Sequence, residues 1–113
     1  MTNYEKKRKK AKKEADKLFQ IYGLNKEPLC RLCGKPATCV HHIIPKGRSN
    51  AVRYEIMNMA SLCQGCHHLW HATQDVRLYE RMRPKNYKQL EAKSRQEVRT
   101  NLSFYLEAID KLR

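Results

Sequence analysis

The chain reads as a small α+β domain, with a central metal-stapled module of loops, short strands and one helix, and a helix at each end. Three observations predict it. Four of the five cysteines stand as two C-x-x-C pairs, Cys30/Cys33 and Cys63/Cys66. Residues 27–53 carry three of the four prolines and two of the four glycines, which breaks that stretch into turns and short extended pieces. Both flanks instead hold long runs without Gly or Pro and with helical spacing of apolar residues. At 113 residues there is room for one compact core with short appendages, which excludes barrels and doubly wound sheets. The expected division is a basic N-terminal helix or arm over 1–26, a core over 27–75 and a helical C-terminal extension over 76–113.

Taken in order, residues 5–17 are almost wholly charged and end on Leu18, Phe19, Ile21 and Tyr22. The pattern predicts a helix with a solvated basic half and an anchored half, stopped by Gly23. Its basic half suits either a solubilising end or a phosphate-binding arm. Val40, Ile43 and Ile44 flank His41 and His42, and Pro45 and Gly47 end the run, so a β-hairpin should carry the paired histidines. After Cys63 the spacing turns helical through Leu69, Trp70, Val76, Leu78, Tyr79 and Met82, until Pro84. The last stretch places Tyr87, Leu90, Val98, Leu102, Tyr105, Ile109 and Leu112 on one face of a long helix interrupted only by Ser94. That stripe is expected to pack in the core, with a homodimer or partner-protein seam as the alternative.

Charge narrows the partners. Lys plus Arg number 24 against 11 Asp plus Glu, a net charge of +13, and residues 1–29, 30–73 and 74–113 are each net positive. A polyanion is the expected partner. No apolar run reaches the roughly 20 residues of a membrane span, and the N-terminus lacks the apolar segment of a secretory signal. Paired cysteines in an odd total suggest metal ligation in a reducing compartment rather than disulfides, hence a soluble, cytoplasmic protein.

The chemistry lies in the cysteines and histidines. Cys30, Cys33, Cys63 and Cys66 offer four thiolates, enough to close a tetrahedral structural zinc site with no open position. A module with so few large aliphatic residues needs such a staple. Cys39 has no place in that shell and is expected to be a small buried strand residue. All five histidines fall between positions 41 and 71. On a helix, His67 and His71 share a face at the i, i+4 spacing that suits two imidazoles on one ion, with His68 and His71 as a competing pair. Two histidines from a helix and one from a strand would leave positions open for water or substrate, as in a catalytic site.

The order Cys-x-x-Cys, His41-His42-Ile43-Ile44-Pro45, Asn58, Leu62-Cys63-x-x-Cys66-His67 and His71 resembles the HNH endonucleases of the ββα-metal class, in their zinc-knuckle form. The resemblance spans residues 30–71. It implies a ββα-metal core in which His42 is the general base and His41 and His67 are ligands of a catalytic ion. It implies His71 as third ligand and Asn58 as the residue bracing the loop that holds the base. Many members have aspartate where His41 stands, so the ion stays open among Mg2+, Mn2+, Ni2+ and Zn2+. The resemblance further implies DNA as substrate, 5′-phosphate and 3′-hydroxyl products, and a bacterial or phage setting.

Imidazole chemistry agrees, because a neutral histidine near pH 7 can take a proton from water. Lys46, Arg48 and Arg53 follow the dyad and are candidates to clamp flanking phosphates, against the plainer reading of solvated charges. Trp70 is expected in the core rather than under a base. A non-catalytic zinc-knuckle nucleic-acid-binding module or a recruitment factor is the alternative function. It would explain the charge and the cysteines, but it has no use for His41, His42, His67 and His71 together.

Overall fold

The structure, a computed structural model, describes residues 1–113. It is α+β, with helices α1 (Asn3–Lys26), α2 (Gln64–Thr73), α3 (Val76–Met82), α4 (Tyr87–Ser94) and α5 (Leu102–Leu112) around strands β1 (Cys39–His42) and β2 (Met59–Leu62). The strands pair antiparallel, with Cys39 opposite Leu62 and His42 opposite Met59. The link between them is no tight hairpin turn. Residues 43–58 form a long folded loop that ends in one 3-10 turn, Ile56–Asn58.

Strand alternation divides the interior into two cores. Val40 and Met59 point to one side, where Ala11, Ala15 and Phe19 of α1 meet Tyr105, Ala108, Ile109 and Leu112 of α5. Ala60 and Leu62 point to the other, joining Cys30, Leu32, Ile43, Ile44, Val52, Met82 and Leu90. The stripe on α5 is therefore covered by α1 of the same chain, and the face offered as a dimer seam is occupied from within.

Three sequence expectations change. The helix expected to stop at Gly23 continues to Lys26, because Gly23 serves the sheet rather than the helix end. A Cβ there would lie 2.4 and 2.9 Å from the two methyl groups of Val40, and a β-branched neighbour cannot rotate both away. Gly23→Ala should therefore destabilise the fold by about 1–3 kcal/mol despite its gain in helix propensity, measurable by denaturant titration. The segment after Cys63 is two helices, since Gln74 turns left-handed (φ 49°) and Asp75 caps α3 through the Arg77 N–H. The single long C-terminal helix is likewise two, α4 and α5. Leu90 belongs to one core and Tyr105, Ile109 and Leu112 to the other, and Asn101 starts a new helix by accepting the Phe104 N–H at 3.0 Å.

Glu55 binds these C-terminal helices to the loop, accepting Lys93 Nζ at 2.6 Å and Lys111 Nζ at 3.2 Å. Burial alone would raise its carboxyl, but the two ammonium groups outweigh burial and hold it below its ordinary value of 4.5. A depressed carboxyl stabilises the fold above that value and ceases to as pH falls through its folded pKa. Glu55→Gln should thus lower the melting temperature at pH 7, and the difference from wild type should fade on acidification below 4.5.

Candidate metal centre and cleft

Two turns bring the thiols together. The first runs through Cys30, Arg31, Leu32 and Cys33 and closes with the Gly34 N–H on the Cys30 carbonyl at 2.9 Å. Gly34 adopts φ 79°, a conformation that favours glycine. The second is the start of α2, where Cys63 is the N-cap and its sulfur accepts the Cys66 N–H at 3.3 Å. All four sulfurs lie within 4.8 Å of one another. Cys33 Sγ and Cys63 Sγ are 3.6 Å apart, too far for a disulfide and close to the roughly 3.8 Å that tetrahedral Zn–S bonds of about 2.3 Å impose.

The protonation pattern points the same way. Burial works against the Cys30 thiolate, but the N–H groups of Cys63, Cys33 and Leu32 prevail and bring the thiol down to about 6. The Cys66 thiol is pushed up by burial and by its three sulfur neighbours. Four clustered thiolates repel one another, and a dication removes that conflict. The donor set fits zinc. Cys39 stays outside it, half-buried on β1 rather than in the core, with its sulfur against the Leu62 carbonyl at 3.5 Å.

The second cluster stands beside the first because α2 carries both. His67 and His71 project from one face of α2, with Nε2 atoms 3.0 Å apart, near the roughly 3.3 Å of two nitrogens on a tetrahedral zinc. His41 reaches them from β1, its ring centroid 5.5 Å from that of His67 and 5.7 Å from that of His71. The ligand nitrogens of the three lie within 4.8 Å of one another. Burial, then the neighbouring imidazoles, push His41 down to about 4, so it is neutral and free to ligate at pH 7. His68, the competing candidate, is exposed and outside the cluster.

Alternation sends His42 to the opposite face of β1, against α1. Its Nε2–H donates to the Arg53 carbonyl at 3.0 Å, and a carbonyl can only accept. The neutral ring therefore keeps its lone pair on Nδ1. Nδ1 has no protein partner, and no buried polar side-chain atom is left unpaired, so it meets solvent. Burial is also the main reason that His42 is pushed down to about 4. His41, His42, His67 and His71 all line one cleft of about 530 Å³, together with Gln20, Lys46 and Trp70.

Asn58 lies beneath the cleft, fully buried. Its Oδ1 accepts the Ile44 N–H at 2.7 Å and its Nδ2 donates to the carbonyls of Ile44 and Val52 at 3.1 and 3.0 Å, so it pins the 43–58 loop to itself. Lys46 is exposed on the cleft wall, and exposed Arg48 lines an adjoining groove with Trp70 and Tyr79. Trp70 is half-buried and stacks on Tyr79 with centroids 5.7 Å apart. Arg53, a candidate phosphate clamp from sequence, is instead only 7% exposed, and Asp16 takes its Nε and Nη2 at 3.1 and 2.9 Å. Gln20 brings α1 to the cleft without any signal in the sequence, since a lone Gln in a charged helix carries none.

Four clustered cysteines at the start of a histidine-bearing helix, packed across a two-stranded sheet, define a compact ββα module with two candidate metal sites. Residues 30–73 match the model of the HNH endonuclease family. The match covers less than half of the chain and makes that segment similar to HNH endonucleases, a family of nucleases in general. Comparison of the chain with curated proteins and with solved structures finds no match.

Proposed function

We propose that the protein is a metal-dependent DNA endonuclease that hydrolyses phosphodiester bonds. One observation carries this reading: three imidazoles able to share an ion, and a fourth whose Nε2 is already engaged by the Arg53 carbonyl, line the same cleft. His41, His67 and His71 would hold a divalent ion, and Cys30, Cys33, Cys63 and Cys66 a structural zinc. When bound, the catalytic ion supplies Lewis acidity toward the phosphate and the departing 3′ oxygen. His42 Nδ1 accepts the proton of the attacking water, while its Nε2–H stays on the Arg53 carbonyl. Asn58 acts through the loop it braces, and Lys46 and Arg48, exposed at the cleft and its adjoining groove, are the candidates to hold flanking phosphates. A purely binding zinc knuckle leaves the three clustered imidazoles and the neighbouring His42 without a task.

The test is nicking of supercoiled plasmid by the purified chain, abolished by EDTA and restored by adding back Mg2+, Mn2+, Ni2+ or Zn2+ singly. His67→Ala should remain folded, with an unchanged melting profile, and be inactive. Plasmid left intact under every ion would refute the reading.

Binding should be governed by phosphate contacts. Lys13, Lys17 and Gln20 follow one another at helical spacing on α1, and Gln20 lines the cleft. The two lysines are exposed and lead toward it. Replacing both with Gln should weaken DNA binding and flatten the plot of log affinity against log salt by about 0.9 per lost contact, as read by fluorescence anisotropy.

A further inference from the structure

Asp16, Phe19, Gln20 and Gly23 stand at i, i+3, i+4 and i+7 on α1 and so form one stripe. Each has a task at His42 or its strand. Gly23 admits α1 to van der Waals contact with Val40. The Gln20 side-chain amide then donates to the Val40 carbonyl at 2.9 Å and accepts the Val40 N–H at 2.7 Å. It occupies the place of a neighbouring strand's peptide group at the open edge of β1, just before the paired histidines. Phe19 lies flat against the His42 ring, with centroids 4.2 Å apart and planes 5° apart. Asp16 grips the Arg53 guanidinium and also accepts Tyr54 Oη–H at 2.8 Å. It thereby steadies the residue whose carbonyl receives the His42 proton.

We propose that Asp16, Phe19 and Gln20 are positioning residues for His42, making the N-terminal helix part of the nuclease site although it lies outside the HNH segment. The inference rests on the reading of His42 as the base. Gln20 sets the height of the strand, Phe19 sets the plane of the ring, and Asp16, through Arg53, sets which nitrogen keeps the proton. Without these restraints a neutral imidazole exchanges tautomers and its ring is free to turn. The ion ligands are built differently, from α2 and the far face of β1, so α1 acts on the base and not on ion binding.

The experiment uses the full chain carrying Gln20→Met, which keeps side-chain length and helix propensity but removes both hydrogen bonds, and separately Asp16→Asn. Each should lower kcat by about 10- to 100-fold, while KM for plasmid and the affinity for the added ion stay within about threefold of wild type. A second readout needs no activity: 15N spectra of the His42 imidazole at neutral pH. Wild type should show one tautomer, protonated at Nε2, and both variants a mixture. Wild-type kcat and an unchanged single tautomer in both variants would overturn the proposal. So would a parallel loss of ion affinity and melting temperature, which would mark α1 as scaffold only. If wild type itself fails to cleave DNA, the nuclease reading fails, and the imidazole spectra still decide whether α1 orients His42.

Discussion

Replacing His42 with alanine should slow DNA cleavage by about two to four orders of magnitude and leave ion content and DNA affinity near wild type. The prediction follows from the two faces of β1. His42 is not a member of the imidazole cluster; it stacks on Phe19 and bonds to the Arg53 carbonyl. His41→Ala should behave differently, losing ion affinity and activity together, because His41 is the strand's contribution to the cluster. Calorimetric titration of one divalent ion into both variants, beside single-turnover cleavage, separates the roles. Loss of the ion in His42→Ala with retention in His41→Ala would exchange them.

The second large effect is on folding. Cys30→Ala or Cys63→Ala should abolish the cooperative unfolding of the central module, because zinc held by four thiolates contributes about 10–16 kcal/mol in small domains of this kind. Few other contacts could offset that loss. Cys63 both caps α2 and stands in the sulfur cluster, and Cys30 is packed with Leu32, Ile43 and Leu62. Unfastening the knuckle would release the helix that carries His67 and His71. Chelation of the thiolate-bound ion should produce the same loss in the wild-type chain, read by circular dichroism and by proton NMR dispersion. His67→Ala, which removes an imidazole but no sulfur, should keep a folded spectrum. If a cysteine variant melts with the wild-type profile, the four sulfurs are not the staple.

Both groups of candidate ligands were legible in the linear chain because their geometry is mostly local. A C-x-x-C turn brings two sulfurs to one side within a few residues, and His67 and His71 share a helix face at any tertiary arrangement. The same locality explains the errors. A regular apolar spacing from Tyr87 to Leu112 looks continuous until Leu90 and Tyr105 are found in separate cores. Gly23 looks like a stop until Val40, distant in sequence, is seen to need its missing side chain. Arg53 looks available to a phosphate because nothing nearby in the chain forecasts Asp16 as its partner.

Residue types and short spacings thus determined which cysteines and histidines could share an ion, the α+β class and the basic character of the chain. The fold alone decided which of two adjacent histidines faces the clustered imidazoles, since successive strand residues point oppositely and register depends on pairing with β2. It alone also brought α1 to the cleft, through Gln20. Gln20 meets Val40 and Asp16 meets Arg53 across 20 and 37 residues. Such contacts arise only when α1, with Ala11, Ala15 and Phe19 buried against α5, docks on the outer face of the sheet.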